Sequence, residues 1–132
     1  MTDPTRLDCF DALLGATLQM RRHLETVADS FGLTPPQARV IANLPEPVRM
    51  QAVADATGCE PSHLTAIASS LEDLGLARRE TDPSDRRARR LALTPKGEAL
   101  RVELVPTLVQ NSPILTHLDD AEAATLLDLL RR

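Results

Sequence analysis

Apolar residues recur at helical spacing through six stretches of the chain and alternate in one region between residues 76 and 93. The first stretch, Asp3 to Phe31, places Leu7, Phe10, Leu14, Leu18, Leu24, Val27 and Phe31 near 3.6-residue spacing with charges between them. Asp3 suits an N-cap, Pro4 the first helical position and Gly32 a left-handed close. A helix of that length exceeds what a small domain covers by itself, which predicts that part of its apolar face is buried against another chain. Thr34-Pro35-Pro36-Gln37 is a capping box that opens a second helix reaching Leu44, and Pro45 and Pro47 end it. After an apolar patch at Val48 and Met50, a short third helix covers Gln51 to Thr57 and closes at Gly58. Pro61 starts a fourth, in which Leu64, Ile67, Ala68, Leu71 and Leu74 line one face, and Gly75 stops it.

Only Gly58, Cys59 and Glu60 separate the third and fourth helices, the outline of a helix-turn-helix. Beyond Gly75 the pattern changes to a strand over Leu76 to Thr81, a turn over Asp82-Pro83-Ser84-Asp85 and a second strand over Arg89 to Leu93. A β-hairpin directly after a helix-turn-helix is a wing. Thr94 then caps a fifth helix carrying Leu100, Leu104, Val105, Leu108 and Val109, with a kink expected at Pro106. Ser112 and Pro113 break it, and Asp119-Asp120-Ala121-Glu122 opens a Leu-rich sixth helix through Leu126, Leu127, Leu129 and Leu130. The fold class is therefore mainly α with a small β-hairpin wing, a winged helix-turn-helix flanked by terminal helices.

Composition narrows the function. The 132 residues make one domain, with 42% hydrophobic and 26% charged residues, an ordinary soluble balance. Two Phe and no Trp or Tyr argue against a stacking platform for single strands, and five Gly leave no glycine-rich phosphate loop. No apolar run approaches the about 18 residues of a membrane span, and Met-Thr-Asp-Pro-Thr-Arg lacks a signal peptide's apolar core, so a cytoplasmic location without membrane contact is expected. The net charge of -4 disfavours a nucleic-acid partner, yet six Arg stand between residues 78 and 90 against Glu80, Asp82 and Asp85. That segment carries +3 and the remainder -7, a local arginine patch on an acidic body.

The order of elements, together with Leu33-Thr34-Pro35-Pro36-Gln37, Leu71-Glu72-Asp73-Leu74-Gly75-Leu76, Arg78-Arg79, Asp82-Pro83-Ser84-Asp85-Arg86-Arg87 and Leu91-Ala92-Leu93-Thr94-Pro95-Lys96-Gly97, resembles the MarR family of bacterial winged-helix regulators. The match runs from Leu33 to about Glu103, roughly half the chain, and its most specific part is the spacing of Asp85, Arg87, Leu91, Leu93, Thr94 and Gly97. The resemblance implies a single domain over 1–132. Residues 1–31 and 98–132 would form dimerisation helices, and 33–97 the DNA-binding region. It implies a homodimer on a pseudo-palindromic double-stranded operator, with the fourth helix in the major groove. Ser62, His63, Thr65, Ala66 and Ser69 would face bases or flanking phosphates. Arg86, Arg87 and Arg89 would reach the minor groove or backbone, Asp85 would orient Arg87 by a charge-assisted contact, and Gln37 would meet a phosphate. The family often carries Arg where this chain has Ala66, and Asp-Arg where it has Ser69-Ser70; the neutral residues shift expected readout toward the wing and DNA shape.

The resemblance also implies a small-molecule effector between the dimer helices and the winged region, with Arg21, Arg22, His23 and Arg39 as anion partners and repression as the outcome relieved. No cofactor is expected. His23, His63 and His117 share no metal-ligand spacing, and no catalytic arrangement of side chains stands out. Cys9-Phe10 resembles the reactive thiol of the family's peroxide-sensing branch, but without tyrosines around it a buried, inert Cys9 is the expectation; Cys59, in the turn near a helix N-terminus that could lower its pKa, is read as structural. Two alternatives stand beside the regulator: a thiol-based redox sensor using Cys9, and a winged-helix protein-interaction module without DNA binding.

Overall fold

The computed structural model describes residues 3–132. Helix α1 (Pro4–Ser30) begins where Asp3 accepts from the Thr5 amide at 3.0 Å. Helix α2 (Pro35–Ala42) begins at a complete Thr34/Gln37 capping box. Each cap takes up an N–H that the first turn leaves without a partner. Helix α2 ends two residues before the expected Leu44, because the chain tightens at Asn43, whose side chain donates to the Arg39 carbonyl. A two-residue strand, β1 (Val48–Arg49), replaces the unassigned apolar patch and leads directly into α3 (Met50–Thr57). Gly58, at φ 67°, turns the chain in the left-handed region that only glycine enters cheaply, and α4 (Pro61–Asp73) follows.

The hairpin consists of β2 (Ala77–Asp82) and β3 (Asp85–Leu93), and β1 adds to its far side in the order β1-β3-β2, all antiparallel. The turn is thus only Pro83–Ser84, and β3 begins four residues before the expected Arg89. Regular pairing is nonetheless continuous only from Thr81↔Arg89 inward, because the register shifts before Asp82↔Asp85 and leaves Arg86, Arg87 and Ala88 outside the ladder. Helix α5 (Pro95–Gln110) starts on a Thr94 cap and runs through Pro106. A 3-10 turn (Leu115–His117) and α6 (Asp120–Leu130), opened by an Asp119/Glu122 capping box, complete the chain.

One core joins these elements. Ala28 from α1, Ile41 from α2, Val53 from α3, Leu64 and Leu71 from α4, Leu91 from β3 and Leu104 from α5 are each at most 1% exposed. A leucine buried to that degree contributes about 1.5–3 kcal/mol by leaving water. The terminal helices are covered unevenly. On α1 only Val27 and Ala28 are buried, while Leu7, Phe10, Leu14 and Leu18 stand in solvent, and α6 buries no residue at all. The single chain therefore leaves the predicted uncovered stripe on α1. Residues 1 and 2 of the expected 1–31 segment lie outside the described residues.

The segment Thr94 to Gly97 ties α5 to the junction of α4 and β2. Thr94 Oγ1 donates to the Gly75 carbonyl at 2.6 Å and accepts from the Gly97 amide, the Thr94 amide donates to the Leu76 carbonyl, and Lys96 Nζ donates to the Leu74 carbonyl. Gly97 packs so closely that a Cβ there would fall on the Leu76 carbonyl oxygen. The two nearest atoms, the oxygen and carbon of that carbonyl, are backbone and Leu93 Cβ closes the third side, so a methyl group can be accommodated only by moving the helix off the strand. Gly97→Ala is therefore expected to lower unfolding free energy by about 1–3 kcal/mol in urea titrations; an unchanged midpoint would show that this junction is loose.

Candidate nucleic-acid interface

Helix α4 divides by periodicity. Leu64, Ile67, Ala68 and Leu71 are buried, and the opposite side leaves Ser62, His63, Thr65 and Ala66 exposed with Ser69 half-buried. All five α4 positions expected to face DNA thus share the solvent side. Their polar atoms are not equally free. Thr65 Oγ1 donates to the Pro61 carbonyl, Ser69 Oγ accepts from Arg79, and His63 Nδ1 sits 3.7 Å from Cys59 Sγ. Ser62 is left as the uncommitted hydroxyl on this face among the described hydrogen bonds. Gln37 is committed: its side-chain oxygen accepts from the Thr34 amide and its nitrogen donates to Ser70 Oγ, so a phosphate would have to displace one of these bonds.

The hairpin sorts its six arginines into two groups. Arg78 and Arg90 both pair with Glu80, and Arg79 pairs with Glu72 on α4 at 2.7 Å. Arg86, Arg87 and Arg89 have no carboxylate partner among the described ion pairs and are exposed. The expected pairing of the Asp85 and Arg87 side chains is not formed. Asp85 Oδ1 accepts instead from the Arg87 backbone amide at 3.0 Å, because the register shift curls the chain back on itself after the turn. Asp85 therefore shapes the backbone that carries Arg87 and leaves the guanidinium unpaired.

Between α4 and the hairpin lies an open cleft of about 600 Å³, bounded by Met50, Thr65, Glu72, Arg79 and Arg89. Arg79 is a member of this surface that sequence reasoning missed. It bridges from β2 to Ser69 and Glu72 of α4, so a guanidinium lies beside a helix that has no arginine of its own. Arg49 was also missed, since it belongs to the strand hidden in the Val48–Met50 patch. No local signal was available for it, because a strand of two residues shows no period.

A second cavity, of about 460 Å³, lies between α1, α2 and the α3–α4 turn. Arg21 and Arg39 border it together with Glu25, Cys59, Glu60 and His63, and Arg39 also donates to the Thr57 carbonyl at 2.6 Å. Of the expected anion partners, His23 does not belong to this cavity. Its Nε2 bonds the Leu108 carbonyl at 2.8 Å and so holds α1 against α5, and Arg22 is exposed elsewhere on α1. Cys9, expected to be buried, is exposed in this chain, because the first turns of α1 have nothing packed over them. Among the described residues no group of three or more His, Cys, Asp or Glu is arranged to hold a metal ion, and no helix is long and apolar enough to cross a membrane.

These features define a class: a winged helix-turn-helix of the kind found in transcriptional regulators. Residues 31–88 match the model of the MarR family. A proposed transcriptional regulatory protein for the hcr operon of Thauera aromatica is 35% identical over 123 residues, covering 89% of this chain and 73% of that protein. AbsC, a MarR-family regulator from Streptomyces coelicolor, superposes with a TM-score of 0.82 at 25% identity over 99% of this chain and 93% of that one. BpsR of Bordetella bronchiseptica, whose DNA binding is regulated by 6-hydroxynicotinic acid, superposes with a TM-score of 0.72 at 26% identity over 94% and 96%. The chain belongs to the MarR family of transcriptional regulators.

The hairpin turn carries a titration prediction. Asp82 is held far below the usual carboxylate range, first by the hydroxyl of Ser84, then by the Arg49 guanidinium and the Ser84 amide. A depressed folded value means that the contribution of Asp82 to folding is complete above the ordinary aspartate pKa of about 3.9 and is lost only as pH falls toward the folded value. The Ser84 amide resonance is expected to stay constant from neutral pH to below about 3.9. A titration midpoint at or above that value would mean that the turn bond is absent in solution.

Proposed function

We propose that the protein is a homodimeric, double-stranded-DNA-binding repressor in the cytoplasm, working by binding without catalysis and released by a small anionic effector. The observation that carries this reading is the cleft that joins the polar face of α4 to the hairpin. Its walls bring Thr65 together with Arg79 and Arg89, and the unpaired Arg86 and Arg87 extend beyond it. Unpaired arginines next to an exposed helix face form an electrostatic footprint suited to a phosphate backbone, whatever the net charge of the chain. In this reading Ser62, His63, Thr65, Ala66 and Ser69 meet the major groove, Arg86, Arg87 and Arg89 reach the backbone or minor groove, and Asp85 sets the path of the chain between them. Gln37 contributes by fixing α2 to α4 through Ser70.

Residues 33–97 form the DNA-binding region, and 1–31 with 98–132 form the dimer. The exposed apolar side chains of α1 and α6 support that division, since a stripe of this extent marks a surface covered by protein. Two copies would present two α4 helices to half-sites about one helical turn apart. The effector would occupy the cavity beside Arg21 and Arg39, where His63 contributes to both the wall of the cavity and the face of α4. The regulation of BpsR by 6-hydroxynicotinic acid, a small carboxylic acid, supports an anionic effector of that size.

Selection of sites from a random duplex pool at two salt concentrations tests the reading. Enrichment of a pseudo-palindrome, with affinity falling steeply as salt rises, is expected. Binding to no duplex at either salt would refute it and leave a protein-interaction module. On the selected site, Arg87→Ala is expected to weaken binding by about 1–3 kcal/mol while the melting temperature stays nearly unchanged. An equal loss in both would make Arg87 a structural residue.

A further inference from the structure

The turn of the hairpin is fastened from outside. Asp82 is buried, with Oδ1 accepting from the Ser84 amide at 2.8 Å and from Ser84 Oγ at 2.7 Å. Its other oxygen accepts from Arg49 Nε at 2.6 Å, and the far end of the same guanidinium reaches Ser84 Oγ at 3.4 Å. Arg49 lies on β1, 33 residues earlier in the chain, and its strand neighbour across β3 is Arg90. Like charges placed directly opposite on a sheet repel. Each here has a carboxylate to one side, Asp82 for Arg49 and Glu80 for Arg90, which offsets that repulsion.

Beyond Asp82 nothing else in the ladder restrains the tip. The register shift leaves Arg86, Arg87 and Ala88 without cross-strand partners, so the backbone carrying two unpaired arginines is held by Asp82↔Asp85, by Thr81↔Arg89 and by the local bond from the Arg87 amide to Asp85 Oδ1. We infer that Arg49 is a positioning residue for DNA binding: by pairing with Asp82 it clamps the Pro83–Ser84 turn to β1 and holds Arg86 and Arg87 in one presentation. The inference deepens the DNA-binding reading and rests on it for its function, but the clamp itself is a property of the free protein. Without Arg49, one oxygen of a buried carboxylate loses its partner, and the cheapest relief is for Asp82 to turn to water and release the tip.

Limited trypsin digestion of the full-length, DNA-free protein tests the clamp, with fragments ending at Arg86, Arg87 and Arg89 identified by mass. Arg49→Met and Asp82→Asn should each raise cleavage at these sites by about tenfold while arginines outside the hairpin stay protected, since such cleavage follows the population of the locally open tip rather than global unfolding. The double variant should be no faster than either single one, because both remove the same contact. Arg49→Lys should restore most of the protection. Unchanged cleavage, or effects that multiply in the double variant, would overturn the inference. On the selected duplex, Arg49→Met should weaken binding by about tenfold without changing the salt dependence. A salt slope smaller by about one would instead make Arg49 a direct phosphate contact, which also overturns the positioning role. If the wild-type protein binds no duplex, the DNA reading fails while the proteolysis still decides whether the clamp exists.

Discussion

Leu64, Ile67, Ala68 and Leu71 lie along one side of α4, and removing them from water fixes the rotation of that helix about its axis. Because the helical repeat is 3.6 residues, the same rotation commits Ser62, His63, Thr65 and Ala66 to solvent. The other elements then serve to keep the helix in place. Helix α3 and the Gly58 turn approach from one end, and Gly75 returns the chain into β2 at the other. Thr94 and Gly97 close the junction by pinning α5 onto the backbone just past α4. A displacement of the inner stripe would therefore be felt at the outer face without any change in the residues of that face.

Electrostatics divides the molecule along a different line. Sequence alone presents six clustered arginines, but their pairing makes them unlike one another. Glu80 takes two of them, Glu72 takes Arg79 to the side of α4, and the register shift isolates Arg86 and Arg87 at the tip. The three paired arginines hold the sheet together and hold it to α4, while the three unpaired ones keep their full charge for solvent or a partner. Arg79 does both, since its partners are on α4 and its side chain borders the open cleft.

Most of the helical architecture was legible from local signals. Asp3, Thr34, Thr94 and Asp119 cap as their residue types and spacings require, and Gly58 and Gly75 adopt the left-handed turns that end their helices. What escaped was nonlocal. Strand β1 is two residues long, too short to show a period, and exists only because β3 offers an edge to it. The separation of His23 from Arg21 and Arg39 depends on a carbonyl 85 residues away, and the arginine partners on how β2 and β3 register. Asp85 was expected to reach the Arg87 side chain and reaches its amide instead, a distinction that residue spacing does not encode. The exposed face of α4 was legible because periodicity alone decides it.

Glu80 gives the hairpin an adjustable charge. It is one carboxylate shared by Arg78 and Arg90, and its pKa is lowered chiefly by the hydrogen bond from Arg90. Loss of that single acid would free two guanidiniums at once and raise the patch by one charge, with no new basic residue required. One substitution at Glu80 would thus make this surface stickier to any polyanion, as one added arginine would. The acids within the arginine cluster act as a brake on promiscuity as much as a scaffold for the sheet.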